Sequence, residues 1–349
     1  MISLPTKEGS SASSTCAKKE SMSIWRIGVA ESSSPQKRRP LASRGAFDLS
    51  PRLATVSPMA RASARGSEFH TVDSGEVEIR WDGPIATVFL NGVESSAIHT
   101  DDPSIFEFEY MQHANCALDA VFPAPQRIRA LHLGGAACAL PLAWATLRPG
   151  SRHSAVEIDP GLAGAVRDWF DLPRSPALSI RVGDARAVMC SMKDASFDVI
   201  VRDTFDEGKV PAHLRTTGFA REARRVLKSE GLFLLNCAHG GGEDARREIA
   251  SLREEFSQLC SIQDPKVGRS GRRGNVLVVA SNCAYPINEL DRRLRTLPLP
   301  ARVTHGKALE KWCAGAKPFL DPEPSSQGVG VAQGADSTQS EDLASKARA

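Results

Sequence analysis

From Arg127 onward, short apolar segments alternate with amphipathic stretches of helical length, a pattern that commits the chain to βαβ units on a parallel sheet. Strands are predicted at Ile128 to Leu133, Ser154 to Ile158, Leu178 to Val182, Phe197 to Val201, Gly231 to Asn236 and Asn275 to Ala280. Helices are predicted at Cys138 to Leu147, Pro160 to Trp169, Ala185 to Met192, Thr216 to Leu227 and Gly242 to Leu259. A weaker strand is expected near Ile262, and no internal repeat is visible.

Upstream the period changes. Glu76 to Trp81 and Ile85 to Leu90 alternate as strands around the turn signal Asp82, Gly83, Pro84, which predicts a small antiparallel sheet. Asp102 and Pro103 then open a predicted helix running through Leu118. Residues 1–58 hold thirteen serines and the run Lys37, Arg38, Arg39 without sustained periodicity, and residues 321–349 are equally aperiodic. The organisation expected is a disordered extension (1–58), a small β domain (59–101), a Rossmann-like domain (102–320) and a disordered tail (321–349). Of two readings of the extension, a transit peptide and a dispensable segment upstream of Met59, the second is preferred; a signal peptide lacks its apolar region.

Composition removes several function classes. The formal charge of +3 is a difference between the ends: residues 1–58 carry nine Lys or Arg against four Asp or Glu, and residues 321–349 two against five. The nearly neutral centre has no basic stripe, so nucleic acid is not an expected partner. No apolar run approaches the roughly 20 residues of a membrane span, so no membrane partner is expected. The eight cysteines are scattered without CxxC or clustered Cys/His spacing, which predicts core thiols in the cytoplasm and no metal site.

Open α/β sheets bind ligands beyond the carboxyl ends of their strands, and four predicted ends are distinctive. The first runs into Gly134, Gly135, Ala136 and Ala137, small residues that allow close approach of a ligand or, equally, tight strand-to-helix packing. The second ends in Glu157, Ile158 and Asp159, about twenty residues later, the spacing at which a carboxylate meets ribose hydroxyls. The third ends in Gly183, Asp184, Ala185 and Arg186, where an acid can accept from an adenine amino group or simply cap a helix. The fourth ends in Asp203, Thr204, Phe205 and Asp206. Four such ends in register point to a nucleoside, and the absence of GxGxxG favours an adenosyl-sulfonium compound over a dinucleotide.

Leu90 to Ala238 resembles the spermidine synthases and the wider polyamine aminopropyltransferase group. The resemblance is carried by Leu90 to Val93 with Asp101 and Asp102, Phe106 to His113, Leu133 to Gly135, Val156 to Asp159, Gly183 with Asp184, Phe197 to Asp203 with Asp206, and Arg225 to Lys228. It implies an α/β fold, a seven-stranded Rossmann-like sheet of methyltransferase type preceded by a small antiparallel β domain. It implies that Glu157 and Asp159, Asp184 and Ala185, and Gly134 and Gly135 surround the nucleoside. Asp203 would be the base that deprotonates an attacking amine and Asp206 a substrate-binding carboxylate. Decarboxylated S-adenosylmethionine would be a co-substrate, with no permanently bound cofactor, a small-molecule amine the partner, and a homodimer an implied assembly.

The departures from the pattern divide the function. Ala137 stands where the family carries an aspartate for the aminopropyl ammonium, Phe108 and Tyr110 straddle the place of a polyamine-binding tyrosine, and Ser95 stands near that of a glutamine. Three readings follow: an aminopropyltransferase, a methyltransferase using intact S-adenosylmethionine, and a nucleoside-binding relative without turnover. His99, His113, His132 and His239 read as surface or core residues, Gly240 to Gly242 as a strand-to-helix connection, and Arg269, Arg272 and Arg273 as a solvated turn.

Overall fold

The computed structural model describes residues 66–206, 208–267 and 272–322. The expectations for residues 1–58, for Arg269 and for residues 323–349 lie outside them.

The described residues open with a four-stranded antiparallel meander: β1 (Gly66–Val72), β2 (Gly75–Asp82), β3 (Ile85–Leu90) and β4 (Val93–His99). Alternation along β2 and β3 buries Val77, Ile79, Ala86 and Val88 on one face. The helix expected from Pro103 starts later, as α1 (Glu109–Val121). Asp102 is the reason: its Oδ1 accepts from the backbone N and Oγ of Ser104, at 3.1 and 2.6 Å, closing a local turn in place of a helix cap.

The strands and helices predicted beyond Arg127 form with small shifts of boundary. They are β5 (Arg129–Leu133), α2 (Ala139–Leu147), β6 (Arg152–Glu157), α3 (Pro160–Trp169), β7 (Leu178–Val182), α4 (Ala185–Cys190) and β8 (Phe197–Arg202). Then come α5 (Thr217–Val226), β9 (Leu227–His239), α6 (Ala245–Leu252), β10 (Gln258–Gln263) and β11 (Gly274–Ser281). The helix expected to reach Leu259 stops at Leu252, and Gln258 already begins β10, the strand expected near Ile262. Three further elements follow among the described residues: α7 (Ile287–Arg295), β12 (Arg302–His305) and α8 (Gly306–Trp312).

The sheet has eight strands in the order β12-β10-β11-β9-β8-β5-β6-β7. The five from β9 to β7 are parallel, as expected, whereas β11, β10 and β12 are joined antiparallel, and four-residue β12 is the eighth strand beyond the seven expected. Both faces are covered, so each strand divides its side chains between two cores. Val199 and Val201 join Trp144 and Met111 on one face, while Ile200 joins Phe219 and Ile249 on the other. His132, buried on the first face, lies 3.1 Å from His153 through its Nε2, and its ring packs against Trp144.

Candidate active site

Chain order reverses between β5 and β8, the place where an open parallel sheet forms a crevice at its carboxyl end. The first-strand turn and the fourth-strand acid meet there. Asp203 N donates to Leu133 O at 2.8 Å. Gly134 has φ +94°, and a Cβ at this position would lie 2.0 Å from the Asp203 carbonyl oxygen, so the approach of the two chains requires glycine.

Glu157 ties the next strand to the same turn. Its Oε2 accepts from Gly135 N at 3.1 Å and Ala136 N at 2.8 Å, and its Oε1 accepts from Asp159 N at 3.1 Å. Gly183 N donates to Glu157 O at 2.8 Å, which brings the end of β7 alongside. Gly134, Gly135, Glu157, Asp184 and Asp203 therefore line consecutive strand ends. Ala137 is fully buried in the apolar core with Cys138 and Leu140.

Two other expected residues face the protein itself. Asp159 is buried; it caps α3 by accepting from Leu162 N at 2.8 Å and binds the β1–β2 turn by accepting from Ser74 N at 2.7 Å and from the Ser74 hydroxyl. Ala185, the first residue of α4, packs in the second core. Asp184 caps α4 through Ala187 N at 2.9 Å, and its Oδ2 lies 2.7 Å from His213 Nε2. Burial raises its pKa, but the hydrogen bonds from Ala187 and His213 outweigh that and hold it below the ordinary carboxylate value. Asp206 is exposed, and its backbone pairs with Lys209 in a small hairpin after Asp203.

Asp203 is held through both carboxylate oxygens. The Tyr110 hydroxyl donates to its Oδ2, and Asn236 Nδ2 donates to its Oδ1 at 2.8 Å. Burial pushes its pKa up against the lowering effect of both hydrogen bonds and of the neighbouring Arg202 charge. The Asn236 Oδ1 and Thr204 Oγ1 atoms beside it have no protein hydrogen-bond partner among the described residues. Of Phe108 and Tyr110, which straddle the place of the family's tyrosine in the sequence, Tyr110 is the one whose hydroxyl reaches Asp203. Asn236 and His213 carried no sequence signal, since each acts through a contact about thirty residues away in the chain, 33 for Asn236 and 29 for His213.

Behind Asp203, on the other face of the sheet, Arg202 is fully buried and donates to Glu248 Oε2 at 2.7 Å and Cys237 Sγ at 3.1 Å. At the start of α1, Glu107 and Glu109 are half-buried, and burial raises the pKa of each. Among the described residues no group of three or more His, Cys, Asp or Glu could hold a metal ion, and no helix is long and apolar enough to cross a membrane.

A probable spermidine synthase from Corynebacterium glutamicum superposes with a TM-score of 0.70 and is 30% identical, covering 76% of this chain and 100% of that one. The chain belongs to the spermidine synthase family. Among relatives in this family, the polyamine aminopropyltransferase of Vibrio vulnificus is 31% identical over 153 residues, covering 43% of this chain and 50% of that protein. The chain thus spans half the length of that relative. The polyamine aminopropyltransferase of Neisseria meningitidis serogroup B is 29% identical over 222 residues, 62% of this chain and 80% of that protein. No family model matches the chain.

Proposed function

We propose that the chain transfers the aminopropyl group of decarboxylated S-adenosylmethionine to a small amine of the putrescine class. The observation that carries this reading is Asp203, held between Tyr110 and Asn236 at the sheet's reversal point and in backbone contact with the glycine turn. The amine nitrogen attacks the aminopropyl carbon bonded to sulfur. A C–N bond forms, the C–S bond breaks with its electron pair going to sulfur, neutral methylthioadenosine leaves, and the surplus amine proton passes to Asp203.

Glu157 accepts the ribose hydroxyls and Asp184 the adenine amino group, while Gly134 and Gly135 let the nucleoside approach the backbone. Asp159 fixes the segment after Glu157, and Ala185 seats the helix that Asp184 caps. Asp206, Glu107 and Glu109 supply negative potential for a cationic acceptor.

A second reading, methyl transfer from intact S-adenosylmethionine, is favoured by one residue. Ala137 offers no carboxylate to hold an aminopropyl ammonium or to repel the methionine carboxylate. The test is to incubate the chain with putrescine and each donor separately and analyse the products by mass spectrometry. Methylthioadenosine with an aminopropylated amine is the expected outcome. S-adenosylhomocysteine from the intact donor alone would replace this reading with methyl transfer; nucleoside binding without turnover would leave a non-catalytic relative. Asp203→Asn is expected to abolish turnover while nucleoside affinity is retained.

A further inference from the structure

Composition assigns Asp321 to the start of the tail, yet the segment from Lys317 to Asp321 is tied firmly to α5 and α6. Phe319 N donates to Ser251 Oγ and Thr217 N donates to Phe319 O, both at 2.9 Å. The Phe319 ring lies under two guanidinium groups, with Arg215 at 4.3 Å and Arg247 at 3.9 Å from its centroid, and Arg247 Nε donates to Lys317 O at 3.0 Å. Asp321 ends the strap: its Oδ2 accepts from Gly218 N at 2.9 Å, and its Oδ1 from Thr216 Oγ1 at 2.8 Å and Arg186 Nη1 at 2.5 Å.

Arg186 leads from the strap to the strand ends. The same Nη1 donates to His213 O at 3.1 Å, and His213 Nε2 lies 2.7 Å from Asp184 Oδ2. A chain of polar contacts thus runs from Asp321 through Arg186 and His213 to Asp184. Arg186 stands two residues after Asp184; without Asp321 its guanidinium loses its carboxylate partner and is free to seek Asp184, whose acceptor positions a purine amino group would need.

We infer that Asp321 is a positioning residue for the nucleoside site, holding Arg186 on the His213 backbone and so keeping His213, rather than Arg186, against Asp184. The inference rests on the reading of Asp184 as the adenine-binding acid. It makes the segment after α8 part of the ligand-binding apparatus, although that segment is not one of the strand ends that form the crevice.

The test uses the full chain and methylthioadenosine, with affinity read by calorimetry. Asp321→Ala is expected to weaken binding at least about fivefold, the lower end of typical coupling between separate sites. Gly218→Ala provides a second perturbation that keeps the aspartate but displaces its carboxylate, because the added methyl would lie 2.0 Å from Asp321 Oδ2 and 2.9 Å from Arg186 Nη2; the same direction of effect is expected. In an Arg186→Ala background, where no guanidinium remains to reach Asp184, the Asp321→Ala effect should vanish, which a purely structural role of Asp321 through Thr216 and Gly218 would not produce. Wild-type binding with unchanged affinity in Asp321→Ala, or an undiminished effect in the Arg186→Ala background, overturns the inference alone. Failure of the wild-type chain to bind the nucleoside overturns both it and the reading of Asp184.

Discussion

Replacing Tyr110 by Phe removes one hydroxyl and little volume, which makes it a sharp probe of how Asp203 works. Burial disfavours the ionised form of Asp203, and the Tyr110 and Asn236 hydrogen bonds with the Arg202 charge oppose that. Only the ionised form accepts the amine proton. A hydrogen bond to a charged group contributes about 1.5–3 kcal/mol, and about 1.4 kcal/mol is a factor of ten. Loss of the hydroxyl therefore lowers the ratio of ionised to protonated Asp203 by about 10- to 150-fold at a fixed pH. The expected signature in kcat/KM for the amine is an acidic limb displaced to higher pH, with activity recovered on the alkaline side. A loss of equal size at every pH would show that Tyr110 acts by shape or substrate contact, and an unmoved limb would remove it from the mechanism.

Other substitutions separate binding from folding. Glu157→Ala should weaken methylthioadenosine binding and also lower the melting temperature, because Gly135 N and Ala136 N lose their acceptor; at about 1–3 kcal/mol per stranded buried donor, both effects are measurable. Ala137→Asp places a carboxylate at a fully buried position, so the melting temperature should fall, and added decarboxylated donor should restore part of it if the ammonium pairs there. An equal restoration by methylthioadenosine, which has no ammonium, would refute that pairing. Acid should also unfold the chain. Burial pushes the pKa of His113 and of His153 down to about 4, so below about pH 6.5 the unfolded chain binds protons that the folded chain refuses. Stability is then intact above that pH and lost as pH falls towards 4; urea midpoints that stay flat across this window would contradict the buried neutral imidazoles.

Strand ends were legible because apolar runs stop abruptly at Gly134, Glu157, Gly183 and Asp203, and a parallel sheet brings such stops to one edge. The register of α1 was not, since Asp102 and Pro103 carry a helix-start signal that the Ser104 contacts divert into a turn. β12 escaped notice because four residues, the outer two exposed and the inner two half-buried, carry no alternation that can be distinguished from a loop. In α7 only Leu290 and Leu294 are buried among charged neighbours, so its apolar stripe is thin. Asp321 lay beyond sequence reasoning for a different reason: its partners are Arg186, Thr216 and Gly218, more than a hundred residues earlier, and composition reports nothing about contacts at that separation.

The pair beneath Asp203 also limits how such a sequence can change over time. Arg202 and Glu248 are tolerable inside the sheet only together, since removing either strands a buried charge at a cost of about 3–5 kcal/mol. Domains hold only about 5–15 kcal/mol in total, so a lineage that loses one partner passes through a crippled intermediate before it can lose the other. Two positions 46 residues apart are thereby inherited as one character. Among descendants of a common ancestor, arginine before the aspartate at position 203 and an acid on α6 should appear and disappear jointly.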